Sequence, residues 1–378
     1  MKVLKYLTFD SLREGVGASQ ALAYVKEISK HRKVEIISFE KSLPSIDEVR
    51  AIEHLNLNWT PIPFGKFGSV GGLNRVIKMS QHVDRDDLVH ARGNLAGFAA
   101  ISRFNRNLIW DCRSLQADQR RALSTSPYRN IGFLIERLIE TLLAKFSKHI
   151  ITITNAVVPI LSQRYGISTS KITTISTCTN TAIFYPLNSR VNTPIRILIP
   201  GTFSPAYDIA LMNKIIKKLR VIRKVRLIVA LSPGYTNNWE GLDFDEVISK
   251  PHDEMPDLIR SSDLGMSIWK NNLGVCLTSV ASTKTAEFLA CGKPVILNLS
   301  QGDFGKLVRE KRIGVSTVGS SNSEIDAYVS EILELLEDSS ISYRCREVAL
   351  DNLSLDKAIP KLLAIYRHMD SENLLHPK

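Results

Sequence analysis

The segment Ser282–Ile296, STKTAEFLACGKPVI, sets a lysine and a glutamate one turn apart at the mouth of a short apolar helix. A helix start leaves its first backbone N–H groups without intrahelical partners, and the aligned peptide dipoles put partial positive charge there. Ser282 or Thr283 can cap that end, and Lys284 adds a full charge beside it. Together they form an anion site of the kind a diphosphate would fill. Glu287 follows Lys284 at i, i+3 and shares its face. A carboxylate there can accept from two neighbouring hydroxyls at once, as the vicinal diol of a ribose offers. Left unpaired in a buried place it would be costly, so it needs such a partner. The alternative is a Lys284–Glu287 pair on a solvated helix. Leu289, Ala290 and the β-branched run that follows mark the helix as core-packed, which weighs against that alternative.

Other chemistry-bearing residues also follow apolar runs. LVHARGN ends in His90 and Arg92, and LIWDCRSLQADQ carries Asp111, Arg113 and, one loop on, Asp118. An arginine at a strand end suits phosphate or sugar hydroxyls through its planar fork. Asp111 and Arg113 fit a structural ion pair closing the loop as well. Gly15 and Gly17 stand between the first strand and a helix near Ala18, where they serve either a close ligand approach or an ordinary turn. Gln20 breaks the G-x-G-x-x-G pattern of dinucleotide sites.

These residues need a scaffold of strands whose ends converge. Strands are expected at Lys2–Leu7, Val34–Ser38, Leu88–His90, Leu108–Trp110, Ile150–Thr154 and Ile172–Ile175, with helical patterns between them. The β-α rhythm predicts a parallel sheet covered on both faces. FYPLNSRVNTP interrupts it, and the rhythm restarts with strands at Ile195–Pro200, Val225–Leu231, 263–268 and 293–298. The organisation read from this is an N-terminal domain over 1–185, a linker over 186–194 and a second domain over 195–355. A final helix over 356–378 completes the chain. The fold class is α/β, two doubly wound Rossmann-like domains facing a central cleft. Ligands in such sheets lie beyond the carboxyl ends of the strands.

Composition bounds the partners. Of 378 residues 44% are hydrophobic, enough for two cores, and no apolar run is long enough to cross a membrane. MKVLKYLTFD reads as a buried first strand rather than a signal peptide. Cys112, Cys178, Cys276, Cys291 and Cys345 form no metal-type pairs, which fits a reducing, cytoplasmic setting without a structural metal. The net charge of +11 lies wholly in residues 1–194, with 26 Lys and Arg against 15 Asp and Glu. Such a surplus attracts anionic partners: nucleic acid, lipid head groups or a pyrophosphate-bearing substrate. Aromatic content of 7% without a basic–aromatic stripe argues against nucleic acid. The segment 129–147 carries an apolar stripe (131, 134, 135, 138, 142, 143, 146), read as facing the core. Its basic ends would suit a membrane surface.

Five segments together resemble retaining glycosyltransferases of family 4, which have the GT-B fold: EGVGASQALAYVKEIS, VHARG with IWDCRSLQADQ, ITTISTCTNTAIFYP, ILIPGTFSP and STKTAEFLACGKPVI. The last is similar to a branch form S/P-T-K-x-x-E-Y-L-A-x-G-x-P-V-I. The resemblance implies a nucleotide-sugar donor in the second domain, with Glu287 on the ribose and Lys284, Thr283, Ser282, Gly201 and Thr202 around the diphosphate and sugar. It implies an acceptor or phosphate loop of Gly15, Gly17, Arg92 and His90, with Asp111, Arg113 and Lys284 in catalytic roles. Transfer would be to an acceptor hydroxyl, glycan or lipid-linked, in bacterial surface polysaccharide or glycolipid assembly. No cofactor and no metal is expected. Contact with an anionic membrane would be peripheral, at its inner face. Departures from the family are Ser279 in place of the first glutamate of its E-x7-E motif, Ser114 and Gln119 in place of Gly and Glu, and Asn180 where an aspartate is common. A GT-B sugar-nucleotide epimerase and an inactive sugar-binding GT-B protein are the competing readings.

Overall fold

A computed structural model describes residues 2–53, 56–187, 191–201, 203–235 and 239–375. The chain forms two compact units, Met1–Ser176 with Ala358–Lys378, and Thr177–Lys357.

The first unit holds β1 (Leu4–Thr8), β2 (Val34–Glu40), β3 (Leu57–Pro63), β4 (Leu88–Arg92), β5 (Asn107–Cys112), β6 (His149–Thr152) and β7 (Ile172–Thr174). All pair in parallel, in the order β3-β2-β1-β4-β5-β6-β7. β4 and β5 are buried at every position, the signature of a strand covered on both faces. The chain winds outward from β1, returns for β4, and winds outward the other way. The switch point therefore lies between β1 and β4. Right-handed crossovers put the helices Gly68–Ser80, Asn94–Ile101 and Arg129–Phe146 on one face of the sheet. Gly97 lets two of them close up, since a Cβ there would lie 2.4 Å from the Leu143 side chain.

Two expectations for this unit change. β3, LNWTPIP, is absent from the strands expected from the sequence, and it carries two prolines, Pro61 and Pro63. It is an edge strand, where proline is tolerated. The helix Arg129–Phe146 does not turn its whole stripe to the core. Ile131, Leu134, Ile135, Leu138 and Phe146 are exposed, Leu142 is half-buried and Leu143 alone of the stripe is buried.

The second unit holds β8 (Ile195–Pro200), β9 (Val225–Leu231), β10 (Glu246–Ser249), β11 (Leu264–Ser267), β12 (Val295–Asn298) and β13 (Gly314–Thr317), again all parallel. The order β10-β9-β8-β11-β12-β13 puts the switch point between β8 and β11. Its core gathers Ile197, Ile199, Met212, Ile215, Leu227 and Val229. The unit begins at Thr177 rather than after residue 185, because the segment that follows is bonded into it. Thr179 bridges to Ser354, and the Arg346 guanidinium donates to the carbonyls of Thr181, Phe184 and Ala290 at 2.7–2.9 Å.

Candidate functional site

The helix Thr283–Ala290 is positioned by its two ends. At its C-terminus Gly292 takes a φ of +71°, with Gly292 N–H donating to Leu289 O and Lys293 N–H to Phe288 O. This is a Schellman stop, and it sends the chain directly into β12. Phe288 packs over Gly265 of β11, where a Cβ would come within 2.9 Å of the ring. Ser282 stands at the N-cap with extended backbone, and its side chain makes no capping bond. Thr283 is buried beside it.

So held, Lys284 reaches the carboxyl end of β8. Its ammonium lies where a side chain on Gly201 would begin, 2.3 Å from the Cβ position, and Gly201 has a φ of +102°. Only glycine leaves that space, which explains a glycine at this strand end. The Lys284 ammonium is 3.5 Å from the Tyr207 hydroxyl, and among the described residues no carboxylate pairs with it. A half-buried cation therefore stands at the switch point of the second sheet, beside a helix start. Thr202 lies outside the described residues.

Glu287 is buried, and its carboxylate has a partner that sequence reasoning missed. His252 Nε2 lies 3.0 Å from Glu287 Oε1. Burial alone would lower the His252 pKa, but the bond to Glu287, its charge and that of Asp253 reverse this and raise it above the ordinary value. The stabilisation from this pair is complete below the ordinary imidazole pKa and fades as pH rises through the raised one. Thermal melts of the wild type above pH 6.5 should therefore decline more steeply than those of His252→Ala, and parallel curves would contradict the pairing. His252 stands in a short turn after β10, and no spacing pattern connects it to Glu287. Ser279 is buried, its hydroxyl donating to Cys276 O at 2.9 Å.

The first unit gathers the remaining candidates at its own switch point. Arg92 ends β4 in register with Asp111 of β5, while His90 is in register with Tyr6 of β1. The Arg92 guanidinium donates to Asp10 at 3.0 Å and to Gln20 Oε1 at 2.7 Å, and Arg113 donates to the same Gln20 oxygen at 2.6 Å. Asp111 lies 3.5 Å from both His90 and Arg113 and 3.9 Å from Arg92. His90 Nδ1 meets the Tyr366 hydroxyl at 2.7 Å, and burial pushes the Tyr6 phenol up to about 12. Gln20, which breaks the dinucleotide pattern, is thus the neutral acceptor shared by two arginines. Tyr366 is far away in sequence, and nothing in the composition marked it. The cluster lines a pocket with Tyr24 and Leu362, a cationic surface suited to oxygen-rich ligands.

The glycine loop behaves differently at its two positions. A Cβ at Gly17 would fall 1.9 Å from Ser11 O, so its bareness serves the chain's own backbone. Gly15 has a φ of +56° and open space around it. The helix that follows opens with a π-helical stretch, Gly17–Leu22, which carries Gln20. Asp118 is bound by Arg137 and Arg164 at 2.9 and 2.7 Å, away from this cluster.

No protein-family model and no curated protein sequence matches the chain. Its solved structural neighbours include sucrose-phosphate synthase from Thermosynechococcus elongatus, with a TM-score of 0.75, 13% identity, and coverage of 98% of this chain and 100% of that one. Anabaena HepE in complex with UDP and glucose gives a TM-score of 0.70 and 13% identity, covering 97% of this chain and 100% of that one. WaaG, a glycosyltransferase involved in lipopolysaccharide biosynthesis, gives 0.66 and 12% identity, covering 95% and 98%. At these identities the likeness is one of fold. Two parallel-sheet, Rossmann-like α/β domains in one chain match GT-B glycosyltransferase structures along nearly the whole length.

Proposed function

We propose that the chain is a retaining, metal-independent glycosyltransferase that moves a hexosyl group from a nucleotide-sugar to an acceptor hydroxyl in surface polysaccharide or glycolipid assembly. The observation that carries this reading is Lys284, whose ammonium stands at the carboxyl end of β8 without a carboxylate partner among the described residues. HepE, a neighbour by fold, holds UDP in the corresponding class of structure. In this reading Lys284 and the start of its helix receive the diphosphate, with Ser282, Thr283, Gly201 and Thr202 beside it. Their main catalytic effect is to stabilise the charge that develops on the leaving group. The departing diphosphate takes the proton of the acceptor hydroxyl as the glycosidic bond to the nucleotide breaks and the new one forms on the same face. Glu287, steadied by His252, accepts from the ribose diol. The Arg92, Arg113, His90 and Asp111 cluster, with the Gly15 and Gly17 loop behind it, holds an anionic or hydroxyl-rich acceptor.

Calorimetry with UDP, GDP and dTDP tests donor binding. Glu287→Gln keeps the shape but removes the charge, so nucleotide affinity should fall about tenfold or more, as expected for a lost charged hydrogen bond of about 1.5–3 kcal/mol. Unchanged affinity would remove Glu287 from the site. Radiolabelled nucleotide-sugars without acceptor then separate the chemistries. Slow hydrolysis supports a transferase, isomerisation an epimerase, and binding without turnover a silent sugar-nucleotide binder. Ser279, whose hydroxyl is turned onto its own backbone, gives that last outcome a structural basis.

A further inference from the structure

The helix Arg129–Phe146 is amphipathic in the inverted sense. Its inward side carries Glu136 and Glu140, both buried, while Ile131, Leu134, Ile135 and Leu138 are each 55–62% exposed. These positions, continued by half-buried Leu142 and exposed Phe146, make one stripe along the helix. The roll of the helix is fixed. Glu140 accepts from the Ala117 N–H at 3.0 Å and the Tyr165 hydroxyl at 2.6 Å, and Glu136 from Arg120 at 3.1 Å. Turning the stripe inward would break these bonds and strand two buried carboxylates.

A second stripe lies on the same face of the sheet. Phe67, Val70, Leu73 and Ile77 are more than half exposed around the helix Gly68–Ser80, which packs on Asn94–Ile101, itself packed on Arg129–Phe146. Phe104, just beyond the middle helix, is 80% exposed. Around the longer stripe the exposed charges include Arg120, Arg121, Arg129, Lys145 and Lys148, and the acidic residues between 119 and 176 are Glu136 and Glu140, both turned inward.

We propose that this face beds into an anionic lipid surface, with the helix Arg129–Phe146 lying in the plane of the interface. Its isoleucines and leucines would enter the acyl boundary, while the flanking cations meet the head groups. The charge argues for lipid over a second copy of the chain, because a symmetric dimer would set the same acid-free basic rim against itself. No helix among the described residues is long and apolar enough to cross a membrane, so the association is peripheral. The inference deepens the proposed function and rests on it only in naming a lipid-linked acceptor as the substrate such a surface would present.

The test uses the full chain with vesicles of phosphatidylcholine, alone or mixed with phosphatidylglycerol. The wild type should float with the mixed vesicles and keep part of its binding in high salt, because apolar contact is not screened. Leu134→Ser combined with Leu138→Ser should weaken partition about tenfold or more, as expected for two apolar side chains withdrawn from lipid. Circular dichroism, melting temperature and UDP affinity should be unchanged in that variant. Three results overturn the proposal: no flotation of the wild type, equal flotation of the variant, or a wild-type dimer that the variant dissociates. Failure to bind any of UDP, GDP and dTDP with flotation intact would refute the transferase reading and leave the lipid surface standing.

Discussion

If the proposed donor site is right, replacing Lys284 by alanine is expected to weaken nucleoside-diphosphate binding roughly ten- to hundredfold while leaving binding of the nucleoside within about twofold, because a charge-assisted hydrogen bond is worth about 1.5–3 kcal/mol. The selectivity follows from the geometry. The ammonium stands at the end of β8 and would meet only the phosphates, whereas the nucleoside would be held elsewhere. Gly201→Ala probes the same point from the other side, since its Cβ would fall 2.3 Å from the Lys284 ammonium and displace it. That variant keeps the charge but moves it, so it should reproduce the phosphate-selective loss. Calorimetry with the two ligands gives the answer. Equal losses for the nucleoside diphosphate and its nucleoside would mean that Lys284 acts through the fold.

The largest effect on stability is expected at Asp111. Its carboxylate is buried among Arg113, His90 and Arg92, and Asp111→Asn would leave the two guanidinium groups without it. Breaking a buried charge cluster from one side costs about 3–5 kcal/mol. For a unit of this size that is a fall in Tm of about 6–12 °C, at the lower end of the cost. Burial alone would raise the Asp111 pKa, but Arg113, then the bond and charge of His90, then Arg92 more than reverse this and hold it at about 2. A depressed carboxyl stabilises above its unfolded pKa of about 3.9 and loses that contribution as pH falls toward the folded value. The wild type should therefore shed stability on acidification below pH ~4, and the asparagine variant should show a flatter acid limb. A variant that melts with the wild type at neutral pH would show that the cluster contributes no net ion pairing.

The sequence revealed the inner strands, the edge strand β7 and the site helix, but not the other three sheet edges or the partners of the site residues. β1, β4, β5, β8, β9, β11 and β12 are apolar runs buried on both faces, so periodicity and β-branching mark them. The strands left out, β3, β10 and β13, are all at sheet edges, short or broken by proline and polar residues. Lys284 and Glu287 were readable because a helix turn brings them to one face. His252 was not, since a loop delivers it across space to Glu287. Gln20 was visible only as a departure from a motif, and its role as a shared acceptor depends on two strands and a helix converging. The stripe on Arg129–Phe146 was read as core-facing because leucines and isoleucines usually are. The fixed carboxylates on the opposite side decided otherwise.

The outer margin of β3 carries a further consequence. Phe64 N–H donates toward β2, so by alternation the odd-numbered residues of β3 direct their amides away from the sheet. Of these, Trp59 N–H is already taken by Glu53 Oε1 at 2.9 Å, and Pro61 and Pro63 have no N–H at all. An incoming strand would find almost no donors to pair with there. Open edges of parallel sheets are where crowded chains join into aggregates, and this one is closed to such growth by two prolines and a glutamate. Pro61→Val with Pro63→Val would restore both amides and turn that margin into a template for self-association.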